Sequence, residues 1–488
     1  MLQIDTTLTP GALLPQLQQL FELSGRKIEQ LAESWKPEAG TPVFTVRGKY
    51  TTRGWTEWTQ GFQFGSALLQ YDATGAEAFL RMGVRGTLRD MATHVSHVGV
   101  HDHGFNNMST YGNLLRLYRE NRIPEGGIHG EGANTEPWAQ RFCELALKAS
   151  GAVQGARWTD LPGGLGYIYS FNGPHSLFVD TIRSLRSLGA AYRLGHRLMG
   201  EQDQKINLLE RLLRHAETTA RHNVYFGQGR DIYDVRGRTT HEAIFNINSG
   251  AFRCPGTQQG YSPFSTWTRG QAWALVGYAE QLEFLEALPE SAFEGLKAAE
   301  LVGKQAFLSR FTEAAEALSE FYLKNTPSDG IPYWDTGAPG LAMMPKWAER
   351  PADPFNDHEP VDSSAAAIAA QGLLRLGLYL QKRGGSGSKR GKTLFQAGLT
   401  VAKTLFGEPY LCSSHDHQGL ILHSIYHRPN GWDYVPEGRK IPCGEASMWG
   451  DYHARELALY LQRLAEGGPY YTFWAFLAGG EQAEGEAR

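Results

Sequence analysis

The feature that most limits how this chain can fold is a series of helix-length segments with apolar residues at the helical period, running from one end to the other with hardly a strand signal between them. Residues 13–34 carry Leu17, Leu20, Phe21, Ile28 and Leu31 at that spacing, and residues 139–149 repeat it through Phe142, Leu145 and Ala146. The same period predicts helices over residues 182–198, 205–224, 270–288, 298–321, 363–382, 393–406 and 452–465, several rich in the alanine that close packing of helices needs. Helices in series with no linker describe either an open solenoid or a closed ring of helical hairpins. Strict repeats are absent, which favours the ring. The stretches 163–174, 227–268 and 329–361 are dense in Gly, Pro, Asn and aromatics and too long for plain connectors, and loops of that kind commonly carry function. The low-complexity patch KRGGSGSKRGK at 382–392 reads as an exposed, mobile loop with a solvated basic tip rather than a domain boundary. One domain over residues 1–478 is expected, with an N-terminal helical extension, followed by a disordered tail over 479–488.

A chain of 488 residues, 41% of them hydrophobic and 20% charged, can bury a large core, and length alone would allow two or three domains. The formal net charge of -4 and the scatter of the basic residues give no footprint for nucleic acid, so a small or neutral partner is expected. No stretch approaches the roughly 20 apolar residues of a membrane span. The start lacks a basic end followed by an apolar run, and a cytoplasmic protein is expected. Cys143, Cys254, Cys412 and Cys443 lie far apart with no CxxC pair, which speaks against a zinc cluster or a disulfide framework. The 12 Trp and 21 Tyr suit the flat faces and hydroxyl rims of sugar rings, and would equally serve the core.

Chemistry is suggested first by His101-Asp102-His103-Gly104-Phe105, a carboxylate between two imidazoles with a backbone free to bend at Gly104. A second acid, Asp180, stands alone in the apolar run Ser176-Leu177-Phe178-Val179-Asp180-Thr181-Ile182, where an unpaired carboxylate is costly unless its charge has a use. Two carboxylates in contrasting settings suit sugar chemistry. Bland readings stand beside these: Asp102 in an Asx turn closed by Gly104, and Asp180 as the N-cap of the helix that follows. HDH occurs again at 415–417, read as a polar loop with substrate contact left open; neither copy has the HExxH spacing of a metal site, so no metal and no cofactor are expected.

The segments WTQGF at 58–62, HDHGF at 101–105, HAETTARHNV at 215–224, QGYSPFSTWTRGQAWALVGY at 259–278, DSSAAAIAAQGLL at 362–374 and WGDYHARELAL at 449–459 resemble, in this order, the unsaturated glucuronyl hydrolases of glycoside hydrolase family 88. That resemblance implies an all-α fold, an (α/α)6 barrel with long loops forming a cleft at one end. It also implies removal of a 4,5-unsaturated uronic acid from the non-reducing end of oligosaccharides made by polysaccharide lyases. In that chemistry a carboxylic acid protonates C4 of a vinyl ether, water adds at C5, and the hemiketal opens to expel the aglycone.

By the same resemblance Asp180 is the acid and then the base, and Asp102 holds the sugar and assists. His241 and Gln259 face the substrate or the attacking water, Trp58 stands at the cleft rim, and His101 holds Asp102 in place. Phe178, Val179, Ile182 and Leu185 would desolvate the Asp180 carboxyl and raise its pKa. Arg269 and Trp273, four apart, would set a fork donor over an indole on one helical face. For Arg269 two roles are open, an anionic ligand group or a buried acid, and Trp273 reads as a stacking platform. Gln63 replaces an aromatic of the family pattern, and Pro263-Phe264 replaces an acidic pair. Selection of the second sugar is expected in the loop 434–447, with Arg439 and Lys440 reading any sulfate. Other classes remain open: an unsaturated rhamnogalacturonyl hydrolase, an inverting glycosidase, a sugar epimerase or lyase on the same barrel, or a carbohydrate-binding protein without activity.

Overall fold

A computed structural model describes residues 1–54, 57–123 and 136–477; the expected tail at 479–488 lies outside the described residues. Its helices, in chain order, are α1 (Leu14–Ser34), α2 (Gln60–Thr74), α3 (Glu77–Asp90), α4 (Ala92–Val95), α5 (His103–Asn107), α6 (Asn113–Arg119), α7 (Glu136–Ala156), α8 (Thr181–Ser184), α9 (Arg186–Arg193), α10 (Leu208–His222), α11 (Thr268–Glu286), α12 (Lys304–Asn325), α13 (Ser363–Arg383), α14 (Ser386–Leu405) and α15 (Met448–Glu466). A π turn, Met108–Gly112, joins α5 to α6, so that 103–119 forms one helical run.

Two kinds of helix alternate along the chain. One kind is buried on every side: Ala365, Ala366, Ala367, Ile368, Ala369 and Ala370 of α13 are all inaccessible to solvent. These helices form an inner ring in which α2 packs on α5, α5 on α8, α8 on α11, α11 on α13, α13 on α15 and α15 back on α2. The other kind is amphipathic and packs outside: α1 on α2 and α15, α3 on α2, α7 on α5, α6 and α9, α10 on α9, α12 on α11, and α14 on α13. Six inner segments and six outer helices close into an (α/α)6 barrel, as the all-α reading expects. Glycine permits the tight inner spacing. A Cβ on Gly277 of α11 would stand 3.0 Å from the Arg183 nitrogen of α8, and the barrel could not close as it does around a larger residue.

The barrel axis is polar rather than greasy. Arg183, with no exposed side-chain surface, reaches Glu280 at 3.0 Å and Glu456 at 2.8 Å, and also meets His453. A cation buried this deeply needs such anions close by.

Several expectations needed correction. The patch 382–392 is not a mobile loop: only Gly384 and Gly385, both at positive φ, separate α13 from α14, and the helix resumes at Ser386. Small residues serve close packing there, since a Cβ on Gly391 would lie 2.6 Å from the Gly377 carbonyl oxygen. The helix expected over 182–198 breaks after Ser184 and ends at Arg193, and the one expected from 298 starts at Lys304, after a hairpin pairing Lys297–Ala298 with Leu301–Val302. The helices α2 and α3 and the run 103–119 were missed; α2 and 103–119 are buried nearly all round, which erases the one-sided period on which sequence reading depends. The stretch 227–268 holds strands Glu242–Phe245 and Phe252–Gly256, which join Ser176–Phe178 in an antiparallel three-stranded sheet. No helix among the described residues is long and apolar enough to cross a membrane.

Candidate active site

The inner segments point their N-termini the same way, and a cavity of about 850 Å³ lies at that end. Its wall is supplied by residues that lead into, or begin, those helices: Trp58 and Gln60 at α2, residues 99–102 before α5, Phe178 and Asp180 before α8, Gln258, Gln259, Trp267 and Arg269 at α11, and Tyr426, His427, Asn430 and Trp432 ahead of α15. Helix N-termini carry partial positive charge, so the arrangement favours an anionic ligand.

Asp102 and Asp180, 78 positions apart in sequence, meet here. Gly104 makes this possible, but through close approach rather than through a bend: it sits inside α5, and a Cβ on it would stand 2.0 Å from the Ser184 carbonyl oxygen. The Gly104 N–H donates to Ser184 Oγ at 2.9 Å, while Ser184 Oγ and Gln154 Nε2 donate to the His101 carbonyl at 2.7 Å each. On the other side, strand Ser176–Phe178 pairs with Glu242–Phe245, and the Val179 N–H donates to the His241 carbonyl at 2.9 Å, which fixes Asp180 beside His241.

His101 stands between the acids. Its Nε2 lies 3.7 Å from Asp102 Oδ1 and 3.7 Å from Asp180 Oδ2, and one ligand atom of each of the three residues lies within 4.8 Å of the others. Neither acid serves the backbone: Asp102 and Asp180 occupy N-cap positions of α5 and α8, yet neither side chain caps, which sets aside the Asx-turn and N-cap readings. Asp180 Oδ1, both ring nitrogens of His101 and His241 Nε2 are buried without a hydrogen bond. Unsatisfied polar atoms gathered in one cavity mark a site built for something other than packing.

The electrostatics reverse one expectation. Burial works to raise the Asp180 pKa, but His101 beside it, helped by His241, outweighs burial and holds the carboxyl below the usual value. It is Asp102 that is raised, by burial and by the charge of Asp180 against the opposing pull of His101. Burial alone would lower His101, yet the two carboxylates lift it above the ordinary imidazole value. Each of the three groups thus owes its shift in part to the charge of the others. Together they are also the grouping among the described residues in which three potential metal-ligand atoms converge.

His241 is pushed down to about 4 by burial and stays neutral. Its Nδ1 accepts from the backbone N–H of Gln258 at 2.9 Å and of Gln259 at 3.3 Å, which leaves the proton on Nε2 as a free donor. Gln259 lines the cavity, and its Oε1 accepts from Arg269 at 2.7 Å. Arg269 is committed internally: it pairs with buried Asp362 at 2.9 Å and donates to the carbonyls of Ile425 and Tyr426. Its guanidinium lies over Trp267 and Trp449 rather than over Trp273, because the side chain turns toward the α15 entry loop. Trp273 is 2% exposed and sits at the cavity floor against Phe105 and His453. Trp58 forms part of the wall, stacked on Trp449 at 5.2 Å.

The other sequence candidates lie elsewhere. His103 turns away to Ser150 and the His97 carbonyl. In the second HDH, His417 contacts the Gly444 carbonyl and Glu445, outside the cavity wall. Arg439 donates to the Phe355 carbonyl and Lys440 faces Asp357, and neither lines the cavity; Tyr426, His427, Asn430 and Trp432, earlier in the chain, do. Gln63 lines a neighbouring cavity. The sequence reading missed Phe171, Tyr426, His427, Asn430 and Trp432 in the wall. For the last four the available signal was composition, since YHRPNGW at 426–432 gathers aromatic and polar side chains in the loop that precedes α15.

No family model matches the chain. It is 25% identical over 84% of its length to an unsaturated glucuronyl hydrolase of Formosa agariphila, covering 80% of that protein. It is 26% identical to one of Bacillus sp. strain GL1, covering 85% of this chain and 89% of that one. An unsaturated chondroitin disaccharide hydrolase of Streptococcus pneumoniae is 23% identical over 92% of this chain and 90% of its own. Among solved structures, an unsaturated glucuronyl hydrolase specific for heparin superposes with a TM-score of 0.66 at 21% identity, covering 93% of this chain and 97% of that one. One from Streptococcus agalactiae gives 0.65 at 19% identity, covering 97% and 99%. Along most of its length, therefore, the chain resembles unsaturated glucuronyl hydrolases in sequence, and it shares their (α/α)6 fold.

Proposed function

We propose that the protein is a hydrolase of the unsaturated glucuronyl type, which removes a 4,5-unsaturated uronic acid from the non-reducing end of lyase-generated oligosaccharides by hydrating its vinyl ether double bond. The observation that carries this reading is the pairing of Asp102 and Asp180 across one imidazole in an aromatic-walled cavity ringed by helix N-termini. An anionic, unsaturated sugar suits such a place. The likeness to glucuronyl and chondroitin disaccharide hydrolases over most of the chain supports it.

In this reading the uronate carboxylate enters at the positive helix ends and displaces water from around Asp180. Both effects favour the neutral form of that acid, and the proton held by the trio moves to it. Asp180 gives the proton to C4, and positive charge builds at C5 and the ring oxygen. Water held by His241 and Gln259 then attacks C5 and returns a proton to the Asp180 carboxylate. The hemiketal opens, releasing the aglycone as an alcohol and leaving a keto acid. Asp102 and His101 act as the proton reservoir and hold the sugar, while Arg269 is a positioning residue that fixes Gln259 and the Tyr426 backbone. An inverting glycosidase is disfavoured, because its carboxyl groups stand roughly 6.5–9.5 Å apart to admit sugar and water. Here oxygens of the two acids lie within 4.8 Å. Residues 1–478 act as one catalytic domain, and the free cysteines suit a reducing cytoplasm.

The test is loss of near-ultraviolet absorbance from a panel of lyase-generated disaccharides. Asp180→Asn should lower kcat by about 10²–10⁴ with the fold intact. Release of reducing ends from saturated oligomers, or an Asp180→Asn variant with normal turnover, would overturn the reading.

A further inference from the structure

The loop between the cavity and α11 does more than close the wall. Gln258, Gln259 and Trp267 at its two roots all line the cavity, while its tip carries Tyr261 and Phe264, which are 51% and 42% exposed. Phe264 does not stand alone: its ring stacks on Tyr233, itself 45% exposed, at 4.6 Å and 27°. Tyr261 is two residues from Gln259 and Phe264 three from Trp267, so their Cα atoms lie within roughly 7–10 Å of those of cavity-lining residues.

The tip and the loop behind it are braced by hydrogen bonds. The Asp234 carboxylate accepts from the backbone N–H groups of Gly227, Gln228 and Arg230 at 2.8–2.9 Å, and Asp231 accepts from the Tyr233 N–H at 2.7 Å. Within the tip, the Phe264 N–H donates to Ser262 Oγ at 3.1 Å, and the Tyr261 N–H donates to buried Asp335 at 2.9 Å. Rigid aromatic faces held in water cost hydration and are retained where a ligand covers them. A flat aromatic pair whose tyrosine keeps its hydroxyl in solvent fits the apolar face and hydroxyl rim of a pyranose ring.

We propose that Tyr233, Phe264 and Tyr261 form a stacking platform outside the cavity for the sugars that follow the first two residues of the substrate, so that the enzyme prefers longer oligosaccharides to disaccharides. This rests on the proposed activity for the direction in which the substrate lies, with the unsaturated residue innermost and the aglycone running out past the loop.

The experiment compares unsaturated di- and tetrasaccharides from one lyase digest on the wild type, Tyr233→Ala, Phe264→Ala and the double variant. Binding of both sugars to Asp180→Asn, with and without Phe264→Ala, is followed by calorimetry. The wild type should favour the tetrasaccharide in kcat/KM, mainly through KM, and the platform variants should lower the tetra-to-disaccharide ratio by about tenfold. Calorimetry should show the same loss. A wild type without preference, or variants that slow both substrates equally, would overturn the platform. So would variants that alter the oligomeric state and leave the ratio intact, which would mark the patch as a contact between copies. A calorimetric preference without any turnover would retain the platform and reject the proposed chemistry.

Discussion

Gly104→Ala is the sharpest perturbation of the site, because it touches neither acid yet acts on the distance between them. The added methyl would stand 2.0 Å from the Ser184 carbonyl oxygen, where contacts under 3.0 Å are essentially unknown. The α5 and α8 backbones must therefore part by about 1 Å, and a misplacement of that size at reacting groups costs on the order of 100-fold in rate. Separation also lengthens the 2.9 Å Gly104–Ser184 hydrogen bond and moves His101 off the midline between Asp102 and Asp180. Overpacking alone costs about 1–3 kcal/mol of stability. A control with the same kind of clash lies far from the cavity: Gly391→Ala, on α14, would meet the Gly377 carbonyl oxygen at 2.6 Å. Both variants should melt at lower temperature, but only Gly104→Ala should lose turnover, measured as decay of the unsaturated chromophore well below either melting point. If Gly104→Ala keeps kcat within a few-fold of Gly391→Ala, the juxtaposition of the two acids does not govern the chemistry.

Three further outcomes are expected. In His101→Gln the burial of Asp180 loses its main opposition, so its carboxyl should titrate at higher pH than in the wild type; carbon-13 carboxyl shifts followed against pH in the free protein measure this, and an unchanged or lower midpoint would contradict the assigned electrostatics. For Glu456, burial works to raise the pKa, but Arg183 and Arg186 hold it below the ordinary 4.5. Its contribution is therefore present above that value and fades as pH falls below it, so Glu456→Gln should cost about 3–5 kcal/mol at neutral pH and flatten the acid side of the stability curve in urea titrations. Arg439→Ala and Lys440→Ala should leave the relative rates on sulfated and unsulfated disaccharides within about twofold, as for surface changes outside a site, since neither side chain lines the cavity.

Most of the amphipathic outer helices were legible in sequence because each has one wet face: α1 and α10 fall within a few residues of the expected bounds, although α3, of the same kind, was missed. Helices α13 and α15 were also found, α13 within a residue at each end and α15 with its start set four residues late. The other failures were segments buried all round, α2 and the run 103–119, where polar residues such as Asn106, Asn107 and Asn113 are satisfied inside the protein and break the apolar period. At the site, residue chemistry singled out Asp102 and Asp180. It misjudged which carboxyl is raised, because desolvation is visible in the neighbours of Asp180 whereas the opposing imidazole lies 79 positions away.

By itself the sequence determined that this is a series of helices, packed as a solenoid or a ring, and which acids, rings and amides are available to a sugar. Helical period and side-chain chemistry are local properties, written within a few residues of one another. Tertiary structure alone decided that Arg269 is spent on Asp362, that Arg439 and Lys440 face away, and that Tyr426, His427 and Trp432 complete the wall. Each of these depends on where one inner helix begins relative to its neighbours, and that is set by backbone contacts such as Gly104 on Ser184, between residues the chain order holds far apart.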